Sequence, residues 1–377
     1  MSTWSADFGP LDSIWLSTAR QGPLPRVAAD AAREALDWKI APQHTPAEAY
    51  EEVPKRLKAA LGRLVNVPGE EIILGDSASH GLHILGEGIP WREGDEVLVV
   101  DGDFPAPIYC FLPLRRRGVT LRFIRPQGAC LIAADLAANL SPATRLLSLS
   151  WVDPFTGHAI DVEAIGGLCR ENGVHLALDA SQALGTRPLD LAMAPVDAVT
   201  CCAQKWLCGP YGTGFAWIRA ELRESLVYAP TYWAAMQAGR GLGSMRHYEL
   251  YDDLGAARYD LFGAGHFLQF LPWAAAVEYL LAQGIARIAA HNDGLVERLV
   301  AGLDRDKYRL ASPENGAARS TIAVVSHREA DRNEAIGARL RAAGVHVSTR
   351  EGNLRIAPHL FNTAADIDAA LAVLDTA

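Results

Sequence analysis

The apolar positions of this chain follow two rhythms. Between residues 71 and 218 they come in short, nearly continuous runs: EIIL (71–74), DEVLVV (95–100), VTLRFI (119–124), RLLSLS (145–150), VHLALD (174–179), VDAVTC (196–201) and GFAWI (214–218). Runs this short, rich in leucine and β-branched residues, predict strands buried on both faces. Helical patterns lie between them, as in HGLHILGEGI (80–89). Strand and helix in alternation predict an α/β fold, a mostly parallel sheet flanked by helices.

From about residue 263 the pattern changes. FLQFLPWAAAVEYLLAQGIARIAAHNDGLVERLVAGL (267–303) predicts long helices, with Pro272 and Gly284 as breaks. STIAVVS (320–326), NEAIGARLRAAG (333–344), VHVST (345–349), NLRIAP (353–358) and TAADIDAALAVL (363–374) then read strand, helix, strand, strand, helix. That order predicts a small α+β domain, and Asn362 is expected to cap its last helix. The expected organisation is an N-terminal segment (1–25) packing with the small domain, a large domain (26–262) and a small C-terminal domain (263–377).

Composition narrows the function. Of 377 residues, 50% are apolar and 21% charged, an ordinary globular balance. A formal charge of −9 argues against nucleic acid as a main partner, because phosphate backbones need clustered positive charge. The one dense basic run, RRR at 115–117, reads as a solvated helix end. No apolar stretch reaches membrane length and the first residues carry no signal pattern, so no membrane and a cytoplasmic location are expected. The six cysteines form no CxxC pair and read as reduced, buried thiols, with no metal site expected.

The candidate chemistry lies in LDASQALG (178–185) and CCAQKWLCGPYGTG (201–214). Asp179 ends a predicted strand, at the sheet edge where open α/β folds bind ligands; a strand-end Asp capping the next turn is the alternative. Lys205 stands alone among Ala203, Trp206, Leu207 and Cys208, a poor set for an exposed loop. A carboxylate followed by a sheltered lysine suits pyridoxal 5′-phosphate (PLP) chemistry, in which the amine forms a Schiff base and the acid keeps the pyridine nitrogen protonated. GDSASHG (75–81) follows a strand and opens a helix, which makes an anion site or a plain N-cap. GPYGTG (209–214) is not the dinucleotide fingerprint, and no phosphate-binding GxxxxGK[ST] loop occurs.

Over nearly its whole length the chain resembles the class V aminotransferase family of PLP-dependent fold type I enzymes, which includes cysteine desulfurases, kynureninase and isopenicillin N epimerase. The resemblance implies that Lys205 carries the cofactor and later moves the Cα proton, and that Asp179 partners the ring nitrogen. It implies further that Gln182 meets the 3-oxygen, Phe104 stacks on the ring, and Ala78, Ser79 and Gln204 grip the phosphate. Gln204 and Cys202 stand where relatives commonly have His and Ser. Asp153, in SWVDPFTG (150–157), replaces a common Asn or Gln and meets either the ring or the substrate. Arg355 matches the arginine that binds the substrate carboxylate. A homodimer with active sites at the interface is implied, with 255–266 as the partner-facing segment and Gly263-Ala264 where relatives often carry Gly-Thr. The implied substrate is an amino acid, and the implied reaction is aminotransferase or C–S/C–C lyase chemistry, with epimerisation as the alternative. LSTARQGPLPR (16–26) looks like the epimerase and lyase branch. Desulfurases place a nucleophilic cysteine shortly before that arginine; residues 327–354 contain none, which disfavours that activity.

Overall fold

The computed structural model describes residues 4–227, 230, 232, 233, 254–263 and 265–376. Its strands, in chain order, are β1 (Ile14–Trp15), β2 (Ile72–Gly75), β3 (Glu96–Val100), β4 (Thr120–Ile124), β5 (Thr144–Ser150), β6 (His175–Asp179), β7 (Ala198–Cys202), β8 (Gly214–Ile218), β9 (Tyr308–Leu310), β10 (Ala323–His327), β11 (Val345–His346), β12 (Ser348–Arg350) and β13 (Asn353–Ile356). All seven strands expected between 71 and 218 join one sheet, in the order β2-β8-β7-β6-β5-β3-β4. Neighbours are parallel except around β8, which runs antiparallel to both β2 and β7. Every residue of β2, β7 and β8 is buried, which explains why these runs show no polar alternation.

The small sheet is antiparallel, in the order β12-β13-β10-β9. VHVST does not form a single strand. Val345–His346 pairs in parallel with β1, whereas Ser348–Arg350 pairs with β13. Leu16, next to β1, is buried in the small-domain core with Leu295, Leu299, Val325 and Leu340.

Two helix expectations need correction. Pro272 does not break its helix, which runs unbroken from Phe267 to Gln283 and ends at Gly284, where φ is +85°. A mid-helix proline costs about 3 kcal/mol. Phe270, Leu271, Trp273, Ala274, Val277 and Leu280 of the same helix are buried in the large core, packed against helices Arg26–Ile40 and Ala49–Val65. Burying a large side chain stabilises by about 1.5–3 kcal/mol, so several together outweigh the proline. Asn362 is not the cap of the last helix. Thr363 is, in a reciprocal box with Asp366, while Asn362 Oδ1 accepts from His359 N at 2.9 Å.

Candidate active site

The parallel strands end together, and the loops leaving those ends carry the candidate residues. Asp179 closes β6 and is 5% exposed. Its Oδ1 accepts a hydrogen bond from Ser181 N at 2.9 Å, and Oδ2 makes none among the described residues. Such a bond within its own turn is what a capping Asp makes, yet one oxygen is left for a ligand.

Lys205 lies in the turn after β7. Its Nζ sits 5.3 Å from the centre of the Phe104 ring. Among the described residues no carboxylate pairs with it, although ordinary lysines of a folded chain find water or an acid. Both Asp179 and Lys205 act electrostatically on the thiols of Cys201 and Cys202, which brings acid and amine to the same end of β7. The turn is held from outside by the N-terminal segment, where Gly22 N donates to Gln204 O at 2.8 Å. A side chain at 22 would put its Cβ 2.2 Å from the Lys205 carbonyl, so only glycine admits this approach.

Gln182 is buried and engaged at both ends. Its Nε2 donates to Ala19 O at 3.0 Å, and its Oε1 accepts from Trp206 Nε1 at 2.9 Å. The amide nitrogen retains a second hydrogen. On the other side of Trp206, His359 Nε2 lies 3.0 Å from the Trp206 carbonyl, and its Nδ1 lies 3.2 Å from Asn292 Nδ2. Burial holds that imidazole down at about 3, so it is neutral and donates through Nε2. This chain from the small domain to the Lys205 turn was not visible in the sequence, because its members are far apart along it.

Ala78 and Ser79 open the helix Ala78–Gly88, next to an extended N-cap residue, Ser77, whose side chain makes no capping bond. Ser77 Oγ turns instead to Asp76. The first amides of this helix are therefore open to an anion. Gly214 packs against the Ser77 backbone, where a Cβ would come within 2.4 Å. The segment 255–263 lies alongside: Leu261 N donates to Leu74 O at 2.8 Å and Tyr259 O lies 2.7 Å from His80 Nε2. Ala264 lies outside the described residues.

Asp153 spends Oδ1 on its own turn, accepting from Phe155 N (2.7 Å) and Thr156 N (2.8 Å). The carbonyl of the next residue, Pro154, accepts from Arg355 Nη1 at 3.0 Å. Arg355 is 3% exposed, has no carboxylate partner among the described residues, and its Nε is buried without a hydrogen bond. Burial and then Arg350 pull its guanidinium down to about 10, which leaves it cationic at neutral pH. A buried charge with no acidic partner among the described residues is costly, which makes Arg355 a candidate for binding an anion.

All six cysteines are free, and burial raises every thiol above its ordinary value, Cys110 to about 11 and Cys169 to about 12. Asp103, buried beside Phe104, is an acid the sequence does not single out; its only signal is its place in the turn after a strand run, before Phe-Pro. Among the described residues no group of three or more His, Cys, Asp or Glu side chains could hold a metal ion, and no helix is long and apolar enough to cross a membrane.

A lysine without an acidic partner among the described residues, an acid with a free oxygen and an uncapped helix start together fit a cofactor bearing a ring nitrogen, an aldehyde and a phosphate, and the buried guanidinium fits a substrate carboxylate. Uncharacterized protein C11D3.10 of Schizosaccharomyces pombe is 22% identical over 382 residues, 95% of this chain and 82% of that one. The probable cysteine desulfurase of Methanothermobacter thermautotrophicus is 25% identical over 301 residues, 77% of this chain and 72% of its own. Among solved structures, a C-DES mutant with glycine covalently linked to its PLP cofactor superposes with a TM-score of 0.86 at 23% identity, covering 98% of both chains. The complex of the cystine C–S lyase C-DES with its product cysteine persulfide gives 0.84 at 24% identity, over 96% of this chain and 97% of that one. The architecture, a large mostly parallel sheet domain with a small C-terminal sheet domain, is that of PLP fold type I. The family model described as Aminotransferase class-V matches residues 22–369, and the chain belongs to that family.

Proposed function

We propose that the protein is a PLP-dependent enzyme that acts on an α-amino acid and breaks its Cβ–S bond. One observation carries the substrate class: Arg355 is a buried cation with a free Nε and no acidic partner among the described residues. A guanidinium suits a carboxylate, which it meets with two parallel N–H groups. When bound, PLP supplies an electron sink for bonds at the substrate Cα. Asp179, through its free Oδ2, would hold a proton on the ring nitrogen. Phe104 would stack on the ring, and the second amide hydrogen of Gln182 would be available to the 3-oxygen. The first amides of the helix at Ala78 and Ser79, with the Gln204 side chain, would hold the phosphate. Asp153 Oδ2, not used by its own turn, would be available to the ring or the substrate. Lys205 Nζ takes the proton from Cα; the Cβ–S bond then breaks with its electron pair on sulfur.

The lyase branch is supported by the thiols. A desulfurase must catch sulfur on a thiolate of its own, and burial raises all six cysteines here. The likeness to C-DES, described as a cystine C–S lyase, points the same way. Sulfur then leaves as a soluble thiol or persulfide, and water converts the remainder to a 2-oxo acid and ammonia. Holoenzyme incubated with cystine is expected to release pyruvate and ammonia in equal amounts, with persulfide in solution. Alanine as product, with persulfide retained on the protein, would make it a desulfurase. A 2-oxo acid formed once per site with no ammonia would make it an aminotransferase, and recovery of only the inverted amino acid an epimerase.

The working unit is a homodimer. Phe262 is 60% exposed and Leu268 43%, on either side of a segment packed against Tyr50, itself 54% exposed. Exposed apolar side chains along the partner-facing segment support this reading. Sedimentation at micromolar concentration is expected to give a dimer; a fully active monomer would refute the interface and leave phosphate binding to one chain's residues.

A further inference from the structure

Phe104 is 38% exposed, so packing alone does not hold its ring over Lys205. We propose that Asp103 is a positioning residue whose carboxylate fixes the Phe104 ring by tying the Phe104 backbone to the end of β5. The proposal rests on the reading that Phe104 faces the cofactor ring.

Asp103 is 9% exposed. Its Oδ1 accepts from Phe104 N at 2.6 Å, and its Oδ2 accepts from Ser150 N at 2.7 Å. Ser150 is paired with Asp179 across β5 and β6. One carboxylate therefore ties the loop carrying the ring to the strand edge carrying the acid. Gly102, at φ +86°, turns the chain out of β3, and Pro105 restricts Phe104 to extended backbone from behind. The amide of Phe104 is the remaining freedom, and Asp103 takes it.

The groups around Asp103 make its charge conditional. Asp153 faces it from the turn after β5 and repels it. Asp101 and Arg125, paired at 2.7 Å, line the same cavity of about 330 Å³, as do Cys130 and His158. Lys205 lies beyond the Phe104 ring. Burial, opposed by the Ser150 and Phe104 donors and aided by Asp153, raises the Asp103 carboxyl to about 6. Above that value both oxygens accept. Below it one oxygen carries a proton and accepts only weakly from the amide it faces, so the tether slackens.

The test places 4-fluorophenylalanine at position 104 and records fluorine NMR of the cofactor-free protein and of the holoenzyme. A single resonance at about pH 8 is expected to shift and broaden with a midpoint near 6. D103N is expected to give the acid-side signal at every pH. In turnover, D103N should lower kcat about tenfold with KM within about twofold, and should have no further effect in an F104L background. A fluorine signal indifferent to both pH and D103N, or effects of D103N and F104L that multiply, would overturn the proposal. The fluorine result needs neither substrate nor turnover, so it stands apart from any failure of the reaction assigned above.

Discussion

Replacing Lys205 with alanine is expected to lower kcat by about 10³-fold or more while the chain still folds. A positioned general base contributes about 10²–10⁴-fold. On the proposed reading the same amine also makes the covalent link to the cofactor, and functions carried by one group are lost together. The fold should tolerate the change, because Lys205 makes no ion pair among the described residues and its turn is held by other atoms. Gly22 N bonds the Gln204 carbonyl, and His359 bonds the Trp206 carbonyl. The check is threefold: turnover, melting temperature, and borohydride reduction followed by peptide mapping. Borohydride should fix the cofactor on the peptide containing Lys205 in the native chain and on no peptide of the variant. More than a trace of turnover in a variant that retains cofactor would remove Lys205 from the chemistry.

Asp179→Asn should cost about 10²–10³-fold in kcat, the scale of losing one preorganised electrostatic contact, while cofactor affinity changes far less. The reason lies in the two oxygens. An asparagine carbonyl can keep the bond from Ser181 N that Oδ1 now accepts at 2.9 Å. Its amide then turns towards the ring nitrogen as a neutral donor, so the ring is still seated but its proton is no longer held by a negative charge. Titrating cofactor into the apo-variant separates the two effects. Near-normal turnover would mean that another group partners the ring nitrogen.

Much of the architecture was legible because burial on both faces leaves a local mark. β2, β7 and β8 are buried throughout and nearly all apolar, and that continuity announced the sheet without any knowledge of strand order. Features set by a few residues or by distant partners left no such mark. Two-residue β1 is too short to show a period, and it exists because β11 lies beside it. Pro272 reads as a helix break in isolation, yet it sits inside a helix whose apolar side chains are buried against two others. Asn362 and Thr363 are both good caps; the prior bond from His359 N to Asn362 decided between them.

At the site, the sequence by itself named the candidate reacting groups. Asp179 at a strand end and a sheltered Lys205 are chemical choices written in residue type and neighbourhood, and both can be read along the chain. What those groups face was decided only by tertiary structure. That Arg355 is a buried cation without an acidic partner depends on which acids lie near it among the described residues, a fact no spacing contains. That Asp103 links Phe104 to Ser150 depends on a loop and a strand end 47 residues apart meeting at one edge of the sheet. Local sequence sets what a side chain can do, whereas burial and pairing are sums over atoms from the whole chain.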